Sequence, residues 1–322
     1  MPVYVQIGTT VLHFIWCYLF ITVLDLRVVG AALALDITYI LNWLILDLYV
    51  HFSKICYRTW TLPTRESTQH LWAYCKIGFA GAMMLCFEWW AFELLAIFSG
   101  YLGVAQLAAE VVIINIVSFI FMLPLGISYA ASCLVGNYIG ERNVKLAKRF
   151  ANLTVAFNVL CTVVLIIILA TLREGISRLF TNETEVVAVI SNVLWVLCIY
   201  IFFDTIHGVQ SGIIRGLGRQ AYGSIYTLIC YYIFGMPLAL VFTFVLDWGV
   251  AGLWGGFTIA CIVLDIGFFF IISCCDWEKI AEATAARIAK EQKDREAKIS
   301  KIHKDLTPEQ QRDLLATPSR TR

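Results

Sequence analysis

Formal charge is what this sequence has least of. Asp, Glu, Lys and Arg make up 15% of the 322 residues, and they balance to a net +1. Soluble domains carry about 25% charge. A near-neutral chain without a basic stripe offers nothing to a nucleic-acid backbone. The first 24 residues hold no charged side chain, so the basic start of a secretory signal peptide is missing. The eleven cysteines form no CxxC pair and no Cys/His cluster along the sequence, which argues against a disulfide scaffold or a zinc site. No Walker sequence, calcium loop or nucleophile elbow occurs. The sequence therefore offers no site for ATP hydrolysis, and it reads as a non-enzyme without a bound cofactor.

What it has instead is apolar length. Hydrophobic residues make up 60% of the chain, against about 45–50% in soluble domains. Windows of about 20 apolar residues predict eight membrane spans, at 2–24, 28–50, 77–104, 109–135, 151–172, 186–214, 221–246 and 249–275. The fold class is an all-α membrane protein. Beyond residue 276 both signs of charge become frequent, and Trp277, Ile280, Ala281, Ala285 and Ile288 recur at helical spacing. That pattern predicts an amphipathic cytoplasmic helix followed by a solvated end. The organisation expected is two spans in 1–51, a linker in 52–76, six spans in 77–275 and a charged tail in 276–322. Basic residues concentrate in alternate loops: Lys54, Arg58, Arg65 and Lys76; then Arg142, Lys145, Lys148 and Arg149; then Arg215 and Arg219. The positive-inside rule places these loops and both termini in the cytoplasm. Asn182-Glu183-Thr184 is a glycosylation sequon on the opposite side.

Two blocks look alike. RVVGAALA at 27–34 and GVAGLWGG at 249–256 each follow a short turn with an acid, Asp25 or Asp247, and each opens a span. Aligning Gly30 with Gly252 sets an offset of 222 residues, which pairs the first two spans with the last two. Small residues at these starts allow helices to pack closely.

The rare charges inside the spans are the candidates for function. An ionised carboxylate costs about 2.5–3.5 kcal/mol at the centre of a span, yet CFEWWAFELL carries Glu88 and Glu93. Five residues separate them by about 7–8 Å along a helix and about 140° around it, so they do not form one compact pair. Trp89 and Trp90 offer ring faces to a cation. Asp204 lies in the sixth span and is the natural partner of Glu88; His207, three residues on, shares its face and reads first as structural, with a proton relay as the alternative. Pro124 frees a backbone carbonyl in mid-span and is a candidate helix bend. Glu110 and Asn115 add polar groups to the same span, with Glu110 expected at the outer rim. Asp47 is expected to be solvated near a cytoplasmic end, while Asp36 and Asp265 lie deeper.

FEWWAFE, LPLGISYAASCLVGNYIGERN, SGIIRGLGRQ, YYIFGMPLAL and GVAGLWGG follow one another as in the carboxy-terminal lobe of multidrug and toxic compound extrusion (MATE) transporters. Over residues 2–278 the chain resembles the eukaryotic branch of that family. The resemblance implies twelve helices in two six-helix lobes. This chain would supply the last two helices of the amino lobe and the whole carboxy lobe, and on that reading it would not transport alone. It implies antiport of organic cations, xenobiotics or metabolites against protons, with sodium the less favoured ion, in a plasma, vacuolar or vesicle membrane. The family's carboxy-lobe glutamates fall on Glu88 and Glu93, and the acid of its tenth helix on Asp204. A glutamate frequent in its eighth helix falls on Asn115, where this sequence departs from the pattern. In such a site, drying favours the protonated acid and an arriving cation favours the ionised one. At about 4 Å and an effective dielectric of about 20, that attraction is about 4 kcal/mol. Two other readings stay open: a flippase of lipid or lipid-linked precursors on a related fold, and a truncated, non-transporting relative.

Overall fold

The computed structural model describes residues 2–53, 71–181 and 183–305, and no strand occurs among them. Ten helices carry them: α1 (Pro2–Val23), α2 (Arg27–Phe52), α3 (Leu71–Leu102), α4 (Val104–Gly140), α5 (Val144–Thr171), α6 (Arg173–Phe180), α7 (Thr184–Gly216), α8 (Gln220–Val245), α9 (Val250–Cys274) and α10 (Trp277–Asp305). All except α6 and α10 are long and apolar enough to cross a bilayer. With these eight spans the chain is an integral multi-pass membrane protein. The sequon at Asn182 and the end beyond 305 lie outside the described residues.

Two local features differ from the sequence reading. The segment between the predicted spans 151–172 and 186–214 is not a plain loop: it contains the short helix α6, whose Ile176 packs against the core beneath it. The helix α3 begins at Leu71, inside the segment read as a linker.

The described residues form two compact units, one built on α1 and α2 and one running from α3 to Ala297. In the first, α1 and α2 are joined by polar pairs: His13 Nδ1 lies 3.0 Å from the Thr38 hydroxyl, and the Asn42 amide donates to Gln6 Oε1 at 2.6 Å. In the second, α7 is the central helix, packed by α4, α5, α6, α8 and α9. Its burial follows from a stripe of Gly208, Gly212 and Gly216, one helical turn apart. A Cβ on Gly212 would stand 2.2 Å from the Ser128 carbonyl oxygen of α4, so only glycine lets the two backbones approach this closely. The Ser128 hydroxyl donates to the Gly208 carbonyl at 2.6 Å, and Arg215 Nη2 donates to Ser128 Oγ at 2.8 Å. Pro124 sits inside the continuous helix α4, buried, with its Cβ beside Gly208.

The offset of 222 residues reappears in the backbone. Asp25 and Arg27 adopt φ of 48° each, and Asp247 and Gly249 adopt 55° and 57°. The N–H of Leu24 reaches Leu19 O at 2.9 Å and that of Leu246 reaches Val241 O at 3.1 Å. The N–H of Leu26 reaches Phe20 O at 3.0 Å and that of Trp248 reaches Phe242 O at 3.1 Å. Each turn is preceded by a wide, π-helical stretch, Tyr18–Val23 in α1 and Val241–Val245 in α8. A Cβ on Gly30 would meet Phe20 O at 2.8 Å, and one on Gly252 would meet the Phe242 carbonyl carbon at 2.7 Å. The two helical hairpins are one design used twice.

Candidate functional site

The site grows from α7. Tyr200, Asp204 and His207 fall at i, i+4 and i+7, on one helical face, and all three are buried. The Tyr200 hydroxyl donates to Asp204 Oδ1 at 2.8 Å. The His207 ring turns back along its own helix. Its Nδ1–H donates to the Asp204 carbonyl at 3.2 Å and lies 3.8 Å from Asp204 Oδ1. Its other nitrogen, Nε2, is 3.5 Å from Glu88 Oε2 on α3. Glu88 is 4% exposed and both α7 side chains 2%. Two carboxylates from different helices thus share one imidazole in the buried centre of the unit.

Other helices close the cluster. Tyr231 of α8 and Cys261 of α9 are within electrostatic reach of both Glu88 and Asp204. Asp265 of α9 is buried with neither oxygen hydrogen-bonded among the described residues, and it lies in the field of Asp204. Arg215, held by Ser128, is a cation within electrostatic reach of Glu88. From α5, Asn158 Nδ2 donates to Thr205 O at 3.0 Å and Thr162 Oγ1 lies 2.9 Å from Thr205 Oγ1, fixing α7 in rotation. A narrow pocket of about 10 Å³, the room of one water, lies beside the carboxylates, walled by Trp89, Phe92, Val117, Ser118 and Phe121.

With its Nδ1–H committed to the Asp204 carbonyl, a neutral imidazole presents Nε2 as an acceptor to a protonated Glu88. A protonated imidazole would instead be a donor to both sides. The cluster can therefore hold one proton at several places, and it carries more acid than base. The Asp204, His207 and Cys261 side chains also come within 4.8 Å of one another, although the sequence shows no Cys/His cluster. Hydrogen bonds within the chain already engage Asp204, and the arrangement reads as a proton-holding network.

The sequence candidates separate into two groups. Glu88, Asp204 and Trp89 come together at the pocket. Glu93 and Trp90 lie on exposed parts of α3, as the angular separation from Glu88 requires. Asn115 is also exposed, with its Nδ2 donating to Val111 O at 2.8 Å along its own helix. Asp36 and Asp47 are exposed on α2. His207, read from sequence as structural, is the bridge.

Glu110 corrects the sequence reading. It is fully buried, not a rim residue, and its Oε2 accepts the Trp254 Nε1–H at 2.9 Å. The Trp254 ring packs edge-on against Tyr200, with centroids 5.0 Å apart. Glu110 is thereby linked through Trp254 and Tyr200 to Asp204, while Asn115 is not. The reason is the face: Glu110, Ile113, Val117 and Phe121 form one buried stripe of α4, and Asn115 lies off it. That periodicity is the signal the sequence carries. Tyr200, Tyr231 and Cys261 carry none, because they are ordinary residues of apolar helices.

Comparison with known proteins identifies the family and the fold. The MatE family model matches residues 81–241. Multidrug and toxin extrusion protein 1 of Danio rerio is 32% identical over 271 residues, covering 84% of this chain and 46% of the relative. Protein DETOXIFICATION 17 of Arabidopsis thaliana is 33% identical over 290 residues, covering 89% and 61%. The chain spans about half the length of the animal relatives it matches. The crystal structure of the eukaryotic MATE transporter AtDTX14 superposes with a TM-score of 0.86 at 28% identity, over 89% of this chain and 65% of that one. The Vibrio cholerae MATE transporter VcmN in the bent form shares the fold, with a TM-score of 0.69 at 17% identity over 88% of this chain and 63% of that one.

Proposed function

Since the chain belongs to the MatE family, we propose that it acts in secondary antiport, exporting small organic cations, xenobiotics or metabolites in exchange for protons, with Glu88 and Asp204 binding proton and cation in competition. The observation that carries the reading is the pair of buried carboxylates flanking His207 beside an aromatic-walled pocket. At about 10 Å³ the pocket holds no more than a water, so it must widen to admit an organic ligand; a cation that then enters loses water and needs a counter-charge. At about 4 Å and an effective dielectric of about 20, one carboxylate supplies about 4 kcal/mol. A proton on the same carboxylate removes that attraction. Trp89 and Phe92 provide flat, apolar surface and ring faces for the organic part of the ligand.

Neutral His207 turns Nε2 toward Glu88 and so supports the protonated carboxyl. When the cation binds at Glu88, the displaced proton leaves the pocket. Tyr200 holds Asp204 in position by its hydroxyl, so this carboxylate sets the field felt by Glu88. Protons are the coupling ion in this scheme, sodium is the less favoured one, and no bound metal or organic cofactor is required. The core charges are acids, which suits a cationic ligand and not the phosphate of a lipid-linked precursor. The basic loops put both termini and the α7–α8 turn on the cytoplasmic side, in a plasma, vacuolar or vesicle membrane.

The test is binding of a fluorescent organic cation to the purified protein as a function of pH. If one proton leaves for each cation bound, affinity rises up to about tenfold per pH unit. Glu88→Gln abolishes that slope, and Asp204→Asn flattens it and moves it along the pH axis. A wild-type slope in Glu88→Gln would overturn the proposal.

A further inference from the structure

Between α5, α7 and α9, at the end of the unit where α10 begins, lies a groove of about 510 Å³. One water takes roughly 30 Å³ in the liquid, so the groove has room for many. Lys148 and Asn152 of α5, Gln210 of α7 and Ser273 of α9 bring polar side chains to its walls. The Lys148 ammonium is turned onto the Trp277 ring, 5.8 Å from its centroid.

The three walls lead to one place. One helical turn beyond the groove, α5 continues from Val155 to Asn158, α7 returns from Gln210 to His207, and α9 returns from Phe269 to Asp265, each along its own face. The ring pairs Tyr200–Trp254 and His207–Phe268, with centroids 5.0 and 5.9 Å apart, set α7 beside α9 in one direction. Asp265 falls between the two pairs and within electrostatic reach of Asp204. The other titratable groups of this centre are Glu88 of α3, His207 of α7, Tyr231 of α8 and Cys261 of the same helix.

Acceptors gather at this junction. Both oxygens of Asp265, Oε1 of Gln210 and Oδ1 of Asn158 are buried and accept no hydrogen bond among the described residues. Asp265 and Gln210 are each 7% exposed, and Asn158 is fully buried. A buried acceptor without a donor costs about 1–3 kcal/mol. Four such atoms on three facing helices, at the head of one polar groove, suit a place that takes up water.

We propose that this groove is a water-filled path along which the buried carboxylates exchange protons with the side of the membrane that bears α10, with Asp265 as the relay at its head. The inference rests on the proton exchange put forward for Glu88 and Asp204. The basic loops assign that side to the cytoplasm. A carboxylate takes a proton from the cluster and gives it to water, or the reverse. Each passage moves one proton and returns Asp265 to its starting state. Gln210 stays neutral and orders the water with its amide.

The experiment jumps the pH of the full chain, purified in a non-ionic detergent, and follows the carboxylic-acid band by time-resolved infrared spectroscopy. The part of the band that Glu88→Gln removes reports on Glu88. Asp265→Asn should slow the change in that part about a hundredfold, the lower end of what a positioned acid–base group contributes, while its final size persists. Asp265→Glu should restore the rate, and Gln210→Leu should slow it in a chain that keeps Asp265. A wild-type rate in both Asp265→Asn and Gln210→Leu would overturn the proposal and leave the assignment of Glu88 standing. An Asp265→Glu variant as slow as Asp265→Asn would make Asp265 a packing residue and overturn its role as relay. A band with no part that Glu88→Gln removes would overturn the proposed function, and this path with it.

Discussion

The hairpins α1–α2 and α8–α9 share a turn and a backbone, and differ in almost everything they do with it. Where α9 has Trp254, Cys261 and Asp265, the positions 222 residues earlier in α2 are Ala32, Tyr39 and Trp43. Trp254 grips Glu110 and packs on Tyr200, whereas Tyr39 and Trp43 are exposed within their unit. Where α1–α2 joins its helices through His13 with Thr38 and Gln6 with Asn42, α8–α9 has Gly235 with Ala260 and Leu228 with Leu264. At these positions one copy has polar pairs and the other apolar ones, with glycine approaching alanine closely at Gly235 and Ala260; the polar bond of the second copy, from the Tyr226 hydroxyl to Val263 O at 3.0 Å, lies elsewhere. The lesson is that the repeat preserves the turn and leaves the chemistry free to diverge.

The largest break in this comparison should come from Gly256. A Cβ there would lie 2.2 Å from the Ala239 backbone nitrogen, while its counterpart Ala34 already carries a methyl group. Gly256→Leu should cost about 3 kcal/mol or more, the top of the overpacking range, seen as a collapse of the thermal unfolding midpoint in detergent. Full retention of that midpoint would mean α8 and α9 are not packed through this contact. Next in size is Trp254→Phe. It leaves Glu110 buried without its donor and should cost about 1–3 kcal/mol. Glu110→Gln on the same background should recover part of the loss, and no recovery would deny the pairing. The smallest effect belongs to the other hairpin: Thr38→Ala should cost about 0.6 kcal/mol, the usual worth of a hydrogen bond between membrane helices. A loss as large as that of Trp254→Phe would show that the polar pairs dominate there.

The eight spans are legible because apolar runs of that length have one common explanation, and eight residues around Gly30 and Gly252 suffice to reveal the repeat. Glu88 and Asp204 are legible because acids within such runs are rare. Glu110 is misplaced when its distance from the span end is weighed and its helical face is not. The rest of the cluster comes from tertiary packing. Tyr200, Tyr231 and Cys261 acquire meaning only when α7, α8 and α9 meet, and the bridging role of His207 needs Glu88 from a helix more than a hundred residues away. The short helix α6 is hidden by its brevity and its charge.

Glu88 and Glu93 make the comparison that matters most for function: two acids of one helix, one buried against His207 and one exposed. The direct measurement is the count of protons released when a saturating organic cation binds the purified protein in weakly buffered solution. With one proton exchanged per cation, wild type and Glu93→Gln should release close to one proton at a pH where the site is protonated, and Glu88→Gln should release none. Equal release from Glu88→Gln and wild type, or loss of release in Glu93→Gln alone, would contradict the assignment of proton and cation to the buried carboxylate.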